Sequence, residues 1–274
     1  MNLIDDAAKL REYALHLERE PQRHVATIVL DDAEHHNTVP FAARRVLASL
    51  FDELTNDDDV WVIVIKGAGN EAFSAGGHIA QFLEQDPEAL SDLAWNIGAS
   101  ERCPKPVIAQ LQGFTFGVGL EIALACDWRI AAEGTLMALP EIRLGMIPGS
   151  GGSQRIARMA GLGRAKDMVM RGRRISAAEA LAWGLVTSVV PQTQLDETVA
   201  NLAAELTALP QPALRTLKRV LNAAYDAPLH VAMDLEGREY ARLRTTPDFI
   251  EGVTAFSAKR KPNFPSFRTT NRSG

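Results

Sequence analysis

Residues 106–125 constrain the fold more than any other part of the 274-residue chain. An apolar run, 106–111, leads through a glycine-bearing turn into Val118–Ala125, a stretch rich in Ala and Leu and too long for a strand. Strand, turn and helix is the simplest reading. The same grammar recurs nearby. Val25–Leu30 and 59–65 are short β-branched runs, the second closing on the turn residues Lys66-Gly67-Ala68-Gly69-Asn70. Between them, 41–57 carries Ala43, Val46, Leu47, Leu50, Phe51 and Leu54 at helical spacing. Trp128–Ala132 reads as another strand. From Arg164 onward the pattern is helical, over 164–170, 176–183 with Ser176 as N-cap, 195–209 and 212–225. Early alternation followed by helices predicts an α/β core, 1–193, with a helical C-terminal region, 194–274.

Composition narrows the function classes. The chain is 46% hydrophobic and 23% charged, as soluble globular domains are. Its 29 Lys and Arg against 34 Asp and Glu give a net charge of −5. That offers no concentrated basic surface for phosphates, so no nucleic-acid partner is expected. Asp5, Asp6, Lys9, Arg11, Glu12, Glu18, Arg19 and Glu20 break up the first segment, and no later apolar run reaches the roughly 18 residues of a membrane span. Neither secretion nor a membrane partner is expected. Of the two cysteines, Cys103 and Cys126, the second sits in an apolar helix-like stretch, where a reduced buried thiol is the common state. A cytoplasmic protein is expected.

Several chemistries fail on spacing. There is no Gly-x-x-x-x-Gly-Lys phosphate loop, no Gly-x-Gly-x-x-Gly dinucleotide turn and no His-Glu-x-x-His zinc helix. Ser150 and Ser153 do not meet the Gly-x-Ser-x-Gly pattern, and His35 and His36 are adjacent, so they cannot share a helix face as metal ligands. No metal site is expected.

Three stretches carry chemistry. In Gln112-Gly113-Phe114-Thr115-Phe116-Gly117-Val118-Gly119-Leu120-Glu121, a glycine-rich turn opens a helix and leaves backbone N–H groups unpaired at the positive end of its dipole. Such a turn suits a developing oxyanion. Glu121 lies among apolar neighbours, and if it is dry its pKa should rise into the range useful for proton transfer. It equally fits an acidic residue favoured at a helix start. The second stretch, Leu139 to Gly152, places Glu141 between Pro140 and Ile142 ahead of a Gly/Pro-rich loop. A solvated glutamate paired with Arg143 is the plainer alternative. The third, Asn70 to Ile79, has small residues that let a ligand approach the backbone, or simply an ordinary strand-to-helix turn.

Taken together, in this order and spacing, these stretches resemble the crotonase superfamily, the enoyl-CoA hydratase/isomerase group. Lys105-Pro106-Val107-Ile108-Ala109 and the ending Glu251 to Phe264 extend the likeness over nearly the whole chain. The resemblance implies a spiral of ββα units with a C-terminal helical trimerisation region, and assembly as a homotrimer or dimer of trimers. It implies an acyl-CoA thioester substrate in fatty acid metabolism, whose carbonyl oxygen accepts backbone N–H bonds from Gly77 and Val118. Losing one such donor typically costs about 3 kcal/mol of transition-state stabilisation. Both glutamates of the family's hydratases are matched, by Glu121 and Glu141. By analogy, Glu121 activates the water that adds to the β-carbon and Glu141 delivers a proton to the α-carbon. No cofactor is implied beyond the CoA of the substrate. CoA and substrate contacts fall on Ala75, Gly77, His78, Ile79, Val118, Tyr240 and Lys259.

The pattern departs from the family in places. His78 stands where many members have an acidic residue, either altering the local field or serving as a helix-start residue. Val118 replaces a common glycine, and Ala33-Glu34-His35-His36-Asn37 lacks a basic residue that relatives present to the CoA phosphates. Residues 79–100, with Phe82, Leu83, Leu90, Leu93, Trp95 and Ile97, offer acyl-pocket walls but equally fit an ordinary amphipathic helix, so only Ile79, which adjoins the oxyanion turn, is assigned. Arg268 and Arg272 read as a solvated basic tail. Double-bond isomerisation, C–C hydrolysis of a β-keto thioester, or non-catalytic CoA binding are the alternatives to hydration.

Overall fold

A computed structural model describes residues 3–84, 90 and 92–267. Arg268 and Arg272 lie outside the described residues, as does part of 79–100. The strands, in chain order, are β1 (Leu15–Glu20), β2 (Val25–Leu30), β3 (Val62–Gly67), β4 (Ala72–Ser74), β5 (Val107–Leu111), β6 (Phe114–Phe116), β7 (Trp128–Ala132), β8 (Leu136–Ala138), β9 (Ile175–Ser176) and β10 (Ser188–Val190). Among the described residues they form a six-stranded sheet, β1-β2-β3-β5-β7-β10, and a four-stranded sheet, β4-β6-β8-β9. The large sheet is parallel except at its β1 edge. In the small sheet β4, β6 and β8 are parallel and β9 is antiparallel.

Strands buried along their whole length, such as β2 and β5, require cover on both faces, which a parallel sheet between helices supplies. Side chains alternate between those faces. Ala26, Ile28 and Leu30 of β2 point into a core shared with the helices Phe41–Thr55 and Val118–Ala125. On the other face, Val25, Val62, Val64, Ile108 and Ile130 meet Leu195, Val199, Ala203 and Leu206 of the helix Leu195–Thr207. Cys103 and Cys126 are free and buried, and no described helix is long and apolar enough to cross a membrane.

Each pass of the chain lays one strand in the large sheet, a three-residue strand in the small sheet, and then enters helix. β3–β4, β5–β6 and β7–β8 are three such passes. Because β4 and β6 pair in parallel, with Ser74 opposite Thr115, the segments leaving them run side by side. That brings Ala75-Gly76-Gly77 against Phe116-Gly117-Val118. Asn37 fixes the approach, donating to Ala68 O at 2.9 Å and Ala72 O at 2.8 Å, while Gln112 donates to Gly67 O at 2.9 Å. The buried Lys105 ammonium holds the end of the Phe41–Thr55 helix by donating to the carbonyls of Leu54 and Asp57, and burial pushes its pKa down to about 8.

The tightest point of this arrangement is Gly113, at φ 53°, where a Cβ would lie 1.7 Å from the Glu71 carbonyl oxygen. Gly113→Ala must move the backbone that joins β5 to β6. We expect it to cost on the order of 2–5 kcal/mol, read from the midpoint of a denaturant titration, and an unchanged midpoint would show that the turn is not under this constraint.

Candidate active site

Two N–H groups are freed where the turns meet. The Gly76 carbonyl accepts the Val39 N–H at 2.9 Å. In a trans peptide the N–H points opposite to the C=O, so the Gly77 N–H faces away from Val39. Likewise the Gly117 carbonyl accepts the Glu121 N–H at 3.0 Å, which leaves the Val118 N–H as the first, unpaired donor of its helix. The two turns approach closely enough that a Cβ on Gly117 would lie 3.6 Å from the Gly76 Cα. Val118 itself is buried and packs into the core.

Glu121 sits in the first turn of that helix and is 2% exposed. Its Oε1 accepts the N–H groups of Ser150 at 2.8 Å and Gly152 at 2.9 Å. The fit depends on glycine, because a Cβ at Gly152 would stand 2.8 Å from Glu121 Cγ. The Gly/Pro-rich loop noted in the sequence is thus the seat of this carboxyl. Oε2 receives no protein donor among the described residues.

Glu141 opens the short 3-10 helix Glu141–Leu144 and is half-buried, with Oε2 shut off from solvent and unpaired. Its Oε1 lies 3.2 Å from where a Cβ of Gly117 would be. Burial pushes its pKa up to about 7; its backbone N–H and Arg44 act against the rise, and the Glu121 charge adds to it. No ion pair joins Glu141 to Arg143, whose Nε instead donates to Gly172 O at 3.4 Å.

The structure therefore brings together Gly77, Val118, Glu121 and Glu141, residues separated by up to 64 positions. It also adds one that the sequence did not flag. Arg44, 3% exposed on the helix Phe41–Thr55, senses both glutamates electrostatically. Its Nη2 and the Phe82 ring would lie 2.8 Å and 3.1 Å from a Cβ on Gly77, so this glycine makes room for protein side chains. Ala75 is half-buried, tied by its N–H to His36 O at 2.8 Å. His78 and Ile79 are exposed, and the His78 carbonyl accepts the Gln81 N–H at the start of a 3-10 turn. Tyr240 and Lys259 are exposed on the C-terminal helical region and form no hydrogen bond or ion pair with the glutamates or the glycine turns among the described residues.

A family profile described as enoyl-CoA hydratase/isomerase matches residues 20–267. The chain belongs to the enoyl-CoA hydratase/isomerase family. It is 31% identical over 248 residues to a short-chain-enoyl-CoA hydratase from Clostridium acetobutylicum, covering 88% of this chain and 94% of that protein. A carnitinyl-CoA dehydratase from Salmonella typhi is 35% identical over 261 residues, covering 91% and 97%. Among solved structures, an enoyl-CoA hydratase from Bacillus anthracis superposes with a TM-score of 0.86 at 34% identity, over 92% of this chain and 99% of that one. The passes through two sheets are thus the crotonase fold, as expected from the sequence, and the family's acyl-CoA thioester chemistry frames the site.

Proposed function

We propose that this enzyme hydrates the α,β-double bond of an enoyl-CoA thioester to give a 3-hydroxyacyl-CoA. The observation that carries the reading is a half-buried Glu141, its pKa near 7, beside Glu121 and two unpaired main-chain N–H groups. The Gly77 and Val118 N–H groups hold the thioester oxygen as it gains charge. Glu121 orients water through Oε2 and takes its proton as the oxygen bonds to the β-carbon. Glu141 gives its proton to the α-carbon. Proton exchange within the carboxyl pair and with water then resets both, and the two are best treated as one coupled unit. The scheme draws on carboxyls and amides, so CoA enters only as part of the substrate and no metal or redox cofactor is called for.

Double-bond isomerisation and C–C hydrolysis use the same oxyanion cradle, and the presence of both glutamates favours hydration over them and over a non-catalytic role. Exposed Leu221, Leu229, Met233 and Phe256 on the C-terminal helices support the expected trimer or dimer of trimers, and the free thiols support a cytoplasmic location. Crotonyl-CoA incubated with the enzyme should yield a product heavier by one water. An unchanged mass with shifted retention, or a split acyl chain from a β-keto thioester with crotonyl-CoA untouched, would replace hydration by one of the other reactions.

A further inference from the structure

The hydration scheme leaves Arg44 unused. Every other buried side chain of the helix Phe41–Thr55 is apolar: Ala43, Leu47, Ala48, Leu50, Phe51 and Leu54. Burying a cation among them is costly unless it is paired. Burial pushes the guanidinium pKa down to about 10, against the pull of Glu121 and Glu141, so it stays charged near neutrality. Yet among the described residues it makes no hydrogen bond and no ion pair, and its Nε is both buried and unpaired. Glu121 has turned its Oε1 to Ser150 and Gly152 instead.

The guanidinium is nevertheless held in place. It lies 4.4 Å from the Phe41 ring centroid, and Phe41 is braced edge-on by Phe82 at 4.8 Å. An aromatic support of this kind fixes the plane of the group and leaves its edge N–H donors unoccupied. Nη2 reaches to 2.8 Å from a Cβ position on Gly77, the residue whose N–H is aimed at the thioester oxygen. A rigid fork of donors without a protein acceptor matches a planar, bidentate anion, and its place beside Gly77 sets that anion a few bonds from the thioester.

Resting on the acyl-thioester reading above, we infer that Arg44 binds a carboxylate carried by the acyl group, so that the preferred substrates are enoyl thioesters of short dicarboxylic acids. A plain alkyl chain leaves the buried cation without a partner, whereas a carboxylate satisfies it. Glu141, with its pKa near 7, is partly protonated around neutrality, which softens the like-charge cost of bringing an anion in.

Calorimetric binding of two saturated, unreactive thioesters tests this apart from the reaction. Glutaryl-CoA and pentanoyl-CoA have the same chain length and differ only in ending in a carboxylate or a methyl. The wild-type enzyme should bind glutaryl-CoA at least ~10-fold more tightly. In Arg44→Met that ratio should collapse toward one, and in Arg44→Lys, which keeps the charge but loses the fork, it should fall between. Equal or weaker binding of glutaryl-CoA by the wild type, or an unchanged ratio in Arg44→Met, would overturn the inference. If Arg44→Met does not fold, the wild-type ratio decides alone. A preference for glutaryl-CoA in an enzyme that hydrates no enoyl thioester would uphold the role of Arg44 and reject the proposed reaction.

Discussion

Glu141→Gln should remove most turnover while making the protein harder to melt at alkaline pH. Proton delivery by a placed carboxyl is worth roughly 10²–10⁴ in rate, and glutamine cannot supply it. The stability effect follows from the same burial that makes Glu141 an acid. Its pKa moves from 4.5 in the open chain to about 7 in the fold. Between those values the folded protein holds a proton that the unfolded chain has released, so this group's contribution to stability falls as pH rises through the window and levels off above it. A glutamine bears no charge at any pH. Its advantage over glutamate should therefore be largest at about pH 8 and fade toward about pH 4.5. Melting curves of both proteins across that range measure it. In the wild type, kcat should fall as pH rises past about 7, because the proton to be delivered is lost. A near-wild-type kcat in the variant would remove Glu141 from the chemistry, and a rate that climbs through the same window would make it the base.

The sequence revealed the large sheet more readily than the small one. β2 and β5 are runs of six and five residues buried on both faces and mostly apolar, and such runs stand out in a sequence. β4, β6 and β8 have three residues each, too few for any period to show. Phe114–Phe116 accordingly read as part of a turn, although it is the strand that sets Gly117 beside Gly76. β1 was missed for another reason: its sequence Leu-His-Leu-Glu-Arg-Glu is mostly polar, as an exposed edge strand tends to be. Glu121 and Glu141 were legible singly, each as an acid at the mouth of a glycine-rich turn. Their convergence depends on the pairing of β6 with β8, which no local pattern encodes. The burial expected at Glu121 holds, and the carboxyl whose pKa the fold pushes up to about 7 is Glu141. Arg44 was hidden within an otherwise regular amphipathic helix. The signal was present, since position 44 precedes Leu47 by three and Ala48 by four and so falls on the buried stripe. A charge on such a stripe is the feature to look for.

Glu121 should separate catalysis from architecture in a way that Glu141 does not. In Glu121→Gln, Oε1 still accepts from Ser150 and Gly152, so the loop that carries them keeps its anchor. Only the second oxygen is lost, replaced by an NH₂ group that cannot take a proton from water. Turnover should fall by roughly 10²–10⁴ with little change in unfolding midpoint. Glu121→Ala removes the anchor as well. Ser150 is 1% exposed, so its N–H has no water to turn to, and Gly152 is buried beside it. Each stranded N–H costs about 1–3 kcal/mol, to which the vacated side-chain space adds. The alanine variant should therefore unfold at clearly lower denaturant than the glutamine variant while being no less impaired in kcat. Equal midpoints for the two would mean that the loop is held by other contacts and that the Glu121 carboxyl serves the reaction alone. Full turnover in the glutamine variant would leave the water without its base and end the hydration scheme.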